Sequence, residues 1–222
     1  MFWSGKERID MKQFFIVGMD TFGHILCRKL AKTKCEIMVA DKNPDKLDDL
    51  LSVVDSAKCG DCTSETVLRS YGIPDFDVCF VCVGANFQAS LQISSLLKEL
   101  GAKKVITKAA NEIQAKFLLR NGADQIIYPE DEVAERIAIR ESNDRIFDAV
   151  ELGSDYAIYE LMPHKRWIGK TLRELNFRAK FKMIVVAVKN ENGEIILPNA
   201  DYKFQPGHHM LVVSKPEDVA DY

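Results

Sequence analysis

Residues 13 to 41 constrain this chain more than any other stretch. Gln13-Phe14-Phe15-Ile16-Val17 is a short apolar run, followed by Gly18-Met19-Asp20-Thr21-Phe22-Gly23 and an amphipathic run to Lys32. A second apolar run, Glu36-Ile37-Met38-Val39-Ala40, ends on Asp41. Strand, glycine turn, helix, strand and terminal acid make one βαβ unit with the dinucleotide-binding layout. Gly18 suits the sharp turn off the first strand, and Gly23 the close packing of helix on sheet. The helix N-terminus between them offers unpaired N–H groups to an anion. Asp41, 23 residues after Gly18, stands where a carboxylate accepts hydrogen bonds from ribose hydroxyls. The middle glycine of G-x-G-x-x-G is Asp20 here, whose side chain crowds a phosphate and whose charge repels it. The unit predicts the fold and argues against a pyrophosphate at that turn.

The alternation continues downstream. Asn43-Pro44-Asp45 predicts a turn and a helix with Leu47, Leu50 and Leu51 on one face. Residues 53–59 read as a third strand, and Thr63 or Ser64 as the cap of a helix that turns Val67, Leu68 and Tyr71 inward and ends at Gly72. Residues 76–83 are the most apolar strand and are expected at the centre of the sheet. Residues 104–108 and 125–129 are further strands, each preceded by a helix, at 86–100 and 111–120. A last helix from Glu130 to about Arg140 carries Val133 and Ile137 on its apolar side. Six strands alternating with helices predict an α/β fold, a doubly wound Rossmann-like parallel sheet over residues 12–140. Residues 149–222 change character and are expected to form a small α+β domain. Its strands fall at 156–161, 183–189, 195–197 and 209–213, with Asn192-Gly193 as a hairpin turn and a short helix from Gly169.

Composition narrows the function classes. With 30 basic and 33 acidic residues in 222, the net charge of −3 gives no pull toward nucleic acid. No apolar run approaches the ~20 residues of a membrane span. Residues 1–8 read as a tail with no signal peptide, so a cytoplasmic protein is expected. Six cysteines include Cys59-x-x-Cys62 and Cys79-x-x-Cys82, a zinc-ribbon spacing on paper. Cys79 and Cys82 lie three apart in a strand and point to opposite faces, so they are read as core thiols and no metal site is expected.

Ligands of a doubly wound sheet sit beyond the carboxyl ends of its strands. Those ends present Gly18, Asp20, Thr21, Asp41, Gly60, Asp61, Gly84, Asn86, Lys108 and Glu130. Taken singly, Asn86 is an N-cap and Asp61 a turn residue; sharing one rim makes them a candidate site. Lys108 is a candidate to offset phosphate charge near Asp20. His24 reads as a packing or surface residue, and His208-His209 as a turn into a strand. The second module shows no nucleophile–base pair or paired carboxylates, so no catalytic residues are expected.

These segments fall in the order of a known family. Gly18-Met19-Asp20-Thr21-Phe22-Gly23, Val39-Ala40-Asp41, Gly60-Asp61-Cys62-Thr63, Gly84-Ala85-Asn86, Gly122-Ala123-Asp124-Gln125-Ile126-Ile127-Tyr128-Pro129-Glu130 and Leu175-Asn176-Phe177-Arg178-Ala179-Lys180 carry the likeness. The chain resembles the cytoplasmic regulatory subunits of bacterial Trk/Ktr-type potassium-uptake systems, in which a regulator-of-K⁺-conductance nucleotide domain precedes a small ligand-sensing domain. The resemblance implies an adenine nucleotide (AMP, ADP, ATP or NAD(H)) held by Gly18, Met19, Asp20, Thr21, Phe22, Gly23, Asp41, Lys42, Asp61, Cys62, Gly84, Asn86, Lys108 and Glu130. Within that set Asp41 would hold the ribose, Asp61 would lie near the adenine, and Asn86, Lys108 and Glu130 would lie on the phosphate side.

The resemblance further implies a homodimer that assembles into a ring, an octamer, against an integral-membrane potassium channel subunit at the inner face of the membrane. It implies a divalent ion at the dimer interface, near Glu130, in some members, and cyclic di-AMP near residues 176–179 in others. Two departures matter: Asp20 stands where the family has Gly, and Thr21 where it commonly has a phosphate-binding Arg. Losing a cation and gaining an anion shifts the expected ligand toward less phosphate charge, AMP or a nucleoside. Two alternatives stay open, an NAD-dependent oxidoreductase and a cyclic di-AMP-type sensor with a vestigial nucleotide site.

Overall fold

The computed structural model describes residues 11–84, 86–153 and 155–220. The tail and Ala85 of the Gly84-Ala85-Asn86 motif lie outside them. The chain divides between Glu130 and Asp131 into two compact units.

The first unit is built on a parallel sheet of six strands: β1 (Lys12–Val17), β2 (Cys35–Asp41), β3 (Ser56–Cys59), β4 (Val78–Val81), β5 (Val105–Lys108) and β6 (Gln125–Ile127). Their order, β3-β2-β1-β4-β5-β6, is doubly wound as expected, with the apolar β4 beside β1 at the centre. Strand alternation sorts the side chains into two layers. Phe15, Val17, Cys79 and Val81 pack on one face with Leu68 of α2 (Glu65–Arg69) and Ile93 and Leu97 of α3 (Phe87–Glu99). Ile16, Ile37, Val39 and Cys82 pack on the other with Cys27 of α1 (Thr21–Leu30). Cys79 and Cys82 thus lie in opposite layers. A further helix, α4 (Glu112–Arg120), buries Ala115 and Leu118.

Three local expectations need correction. The segment after Asp41 is two 3-10 turns, Pro44–Lys46 and Asp48–Leu50, rather than one helix. Leu47 and Leu50 are buried, but Leu51 is 64% exposed because the break rotates it off their face. The third strand is confined to β3, since Val54 packs inward from the turn that precedes it. Ser64 holds the N-cap position of α2 without a capping bond from its side chain; the Asp61 carboxylate takes the Thr63 N–H in the turn before it.

The second unit holds a five-stranded antiparallel sheet: β7 (Ile146–Glu151), β8 (Ala157–Leu161), β9 (Ile184–Lys189), β10 (Ile195–Ile196) and β11 (His209–Ser214), in the order β10-β9-β11-β8-β7. Short helices α6 (Leu172–Leu175), α7 (Phe177–Phe181) and α8 (Pro216–Ala220) complete it. Tyr159, Leu161, Trp167, Phe177, Met183, Phe204 and Met210 form its core. The Asn192-Gly193 turn joins β9 to β10, with Gly193 at φ +82°. β7 falls where the sequence reading placed no strand. The helix α5 (Pro129–Ser142) leads into this unit, where Arg136 pairs with Asp148 at 2.9 Å and Ile139 packs on the core. Val133 and Ile137, the expected apolar side of α5, are 55% and 46% exposed. Among the described residues no helix is long and apolar enough to cross a membrane.

Candidate functional site

Strand register brings the candidate residues to one edge. Val17 pairs with Ala40 of β2 and with Val81 of β4, and Val81 with Thr107 of β5. The carboxyl ends of the central strands therefore finish level, and a crevice opens between β1 and β4, where the winding reverses. Its volume is about 510 Å³.

Gly18 makes the turn possible. It sits at φ +87°, and a Cβ there would stand 2.5 Å from the Cys82 carbonyl oxygen. A Cβ on Gly23 would strike the Gly18 carbonyl oxygen, so α1 reaches the sheet because both positions lack a side chain. Asp20 then caps α1: its Oδ1 accepts the Gly23 N–H at 2.8 Å. Its Oδ2 lies 2.9 Å from Lys108 Nζ at the end of β5. The same ammonium reaches Glu130 Oε1 at 2.6 Å. Burial alone would push the Lys108 pKa down, but hydrogen bonds to Glu130 and Asp20 outweigh it and leave the group above its ordinary value. The bond from Lys108 in turn holds the Glu130 carboxyl below its ordinary range.

Asp41 is buried, at 7% exposure, and already carries backbone donors. Its Oδ2 accepts the Met19 N–H at 2.7 Å and its Oδ1 the Asn43 N–H at 2.9 Å. Each carboxylate oxygen can accept two hydrogen bonds, so these amides leave one acceptor position on each. Lys46 Nζ stands 3.7 Å from Asp41 Oδ2. Asp61 Oδ1 accepts from Thr63 Oγ1 and Thr63 N–H, which hold its carboxyl below the usual range. Cys62 is buried in the wall, and burial pushes its thiol up to about 12. It is neutral at physiological pH and serves as apolar surface. Asn86 caps α3, accepting the Ala89 N–H at 3.0 Å.

Gly18, Asp20, Asp41, Lys42, Gly60, Asp61, Cys62, Gly84 and Asn86 line the crevice. The other six candidates stand outside its wall. Met19 and Gly23 are buried beneath the turn, Phe22 packs on the core, and Thr21 is exposed on α1. Lys108 and Glu130 form the ion cluster with Asp20. The sequence reading missed Lys46, Thr63, Gln88, Gln92 and Ile93 as lining residues. Helical spacing was the available signal for three of them, since Gln88, Gln92 and Ile93 follow the Asn86 cap on successive turns of α3. Gln92 also ties α3 to the opposite wall through the Thr63 carbonyl at 3.0 Å.

Comparison with known proteins finds matches along the chain. The TrkA-N domain model matches residues 14–129 and the TrkA-C domain model residues 156–222. The chain is 32% identical to Ktr system potassium uptake protein C of Bacillus subtilis, over 95% of this chain and 96% of that protein. It is 35% identical to Ktr system potassium uptake protein A of the same organism, over 87% and 86%. A solved structure described as the GsuK channel bound to NAD has the same fold, with a TM-score of 0.63 at 18% identity. That likeness covers 96% of this chain and 39% of the GsuK chain.

Proposed function

The chain belongs to the family that joins a TrkA-N to a TrkA-C domain, that of the Ktr potassium uptake proteins, and on that premise we propose that it is the regulatory subunit of a potassium-uptake system. It acts without catalysis, gating a membrane channel subunit according to the adenine nucleotide held between β1 and β4. The observation that carries this reading is the likeness to Ktr proteins along nearly the whole of both chains. The crevice at the reversal point of the sheet supplies the place for the ligand.

In this reading the ribose hydroxyls donate to Asp41 on the acceptor positions that Met19 and Asn43 leave open. The adenine lies toward Asp61 and Cys62. Chains dimerise and close into a ring at the inner face of the membrane. Ligand affinity that differs between two ring conformations shifts their populations and so opens or closes the pore. Exposed apolar residues on the second unit's sheet, Phe147, Val150, Ile184 and Val186, support association of chains. A divalent ion at a dimer interface would take its ligands from two chains. Glu130 is engaged by Lys108, and among the described residues no three His, Cys, Asp or Glu side chains group around a metal position.

A thermal-shift panel of AMP, ADP, ATP, NAD⁺, NADH and cyclic di-AMP, with and without Mg²⁺, tests the reading. A ligand at 100 times its dissociation constant adds about 2.7 kcal/mol of stability, a shift of several degrees. The expected result is a shift with at least one adenine mononucleotide or NAD(H), abolished by Asp41→Ala. A shift with cyclic di-AMP alone, lost in Arg178→Ala, overturns it in favour of a sensor in the second unit. Turnover of NADH with a carbonyl substrate would make the chain an oxidoreductase instead.

A further inference from the structure

Asp20 is bonded as a bound phosphate would be. One carboxylate oxygen takes the Gly23 N–H at the start of α1, and the other takes the ammonium of Lys108 from the end of β5. These are the two kinds of donor that a phosphate at a helix N-terminus recruits, a backbone amide and a cation. Other amides of the turn are also spent within the chain. Gly18 N–H goes to the Ala40 carbonyl and Met19 N–H to Asp41. Lys108 and Asp20 have side chains only 14% and 18% exposed, so solvent screens this pair little. The lysines that line the crevice, Lys42 and Lys46, stand just past the end of β2, away from the turn.

We propose that Asp20 is the specificity-determining residue of the crevice, a built-in carboxylate that fills the phosphate seat and draws Lys108 away from any ligand. The ligand is then an adenosine moiety whose negative charge, where it has any, lies away from α1. AMP and adenosine enter; di- and triphosphates are rejected, because their phosphates meet a carboxylate and a lysine already shared with Glu130. Lys108 becomes a phosphate ligand when the charge on Asp20 is removed. This rests on the nucleotide reading above and names the ligand class of that site.

Titration calorimetry on the full chain tests it, with adenosine and ATP as probes of wild type, Asp20→Asn and Asp20→Asn/Lys108→Met. Asn is as good an N-cap as Asp, so the cap and the fold survive while the charge goes. The quantity read is the affinity for ATP relative to adenosine. Asp20→Asn is expected to raise it by at least about tenfold, or ~1.4 kcal/mol, and the double variant to return it to the wild-type value. An unchanged ratio in Asp20→Asn overturns the proposal, as does a gain that survives loss of Lys108. Failure of every variant to bind either probe overturns the nucleotide reading itself.

Discussion

A Cβ on Gly18 would meet the Cys82 carbonyl oxygen at 2.5 Å with φ at +87°, whereas one on Gly84, at φ +66°, would find Asp20 at an ordinary 3.8 Å. The two glycines share a backbone demand and differ in space. Gly84→Ala is expected to cost about 1–3 kcal/mol from the dihedral alone, and Gly18→Ala clearly more, read as a lower urea midpoint at unchanged slope. Asp124 shows what sequence leaves invisible at this scale. Its Oδ2 takes the Val105 N–H at 2.8 Å, and both its oxygens take Lys98 Nζ at 2.7 and 2.8 Å. Burial alone would raise its pKa, but Lys98 and the Val105 amide outweigh it and hold the carboxyl below its ordinary 3.8. A depressed folded pKa stabilises above the unfolded value and is lost as pH falls through the folded one. The stability difference between wild type and Asp124→Asn is therefore expected to stay level above about pH 5 and to shrink below about pH 4, checked by urea unfolding across that range. For Asp20 and Lys108, 88 residues apart, the strand ends showed a shared rim but not the bond between them, because a sequence shows the charges and not which of them meet.

Elements were legible where periodicity was clean. β1, the glycine turn, α1 and β2 stand where the apolar runs and Gly18, Gly23 and Asp41 put them: the strands are continuous apolar runs bounded by turn residues, and α1 has the 3.6-residue spacing of an amphipathic helix. β7 was not legible, because its register slips between Ile146 and Asp148. The slip buries Ile146 and Ala149 while leaving Phe147 and Val150 exposed, which erases the alternation that announces a strand. The helix read after Asp41 failed differently. Leu47, Leu50 and Leu51 have helical spacing, but Asn43 bonds the Asp45 N–H and starts a tight 3-10 turn. In the second unit α6 depends on a reciprocal cap, with the Thr171 side chain accepting the Glu174 N–H while Glu174 accepts the Thr171 N–H. Thr171→Ala is expected to cost about 1 kcal/mol, with helix loss confined to that unit in its amide exchange.

At the scale of the whole molecule, the first unit matches the TrkA-N domain model and the second the TrkA-C domain model. The first unit brings strand ends, two helix caps and three aspartates to one crevice; the second offers an antiparallel sheet with an exposed apolar face. A nucleotide that works through this crevice must first stabilise its rim, so ligand protection should be local before it is global. The most direct measurement is amide hydrogen exchange of the full chain with and without AMP at about 100 times its dissociation constant. Slowed exchange is expected at Gly18 to Thr21, Asp41 to Lys46, Asp61 to Thr63 and the first turn of α3. Protection confined to residues of the second unit, with the rim of the crevice unchanged, would contradict it.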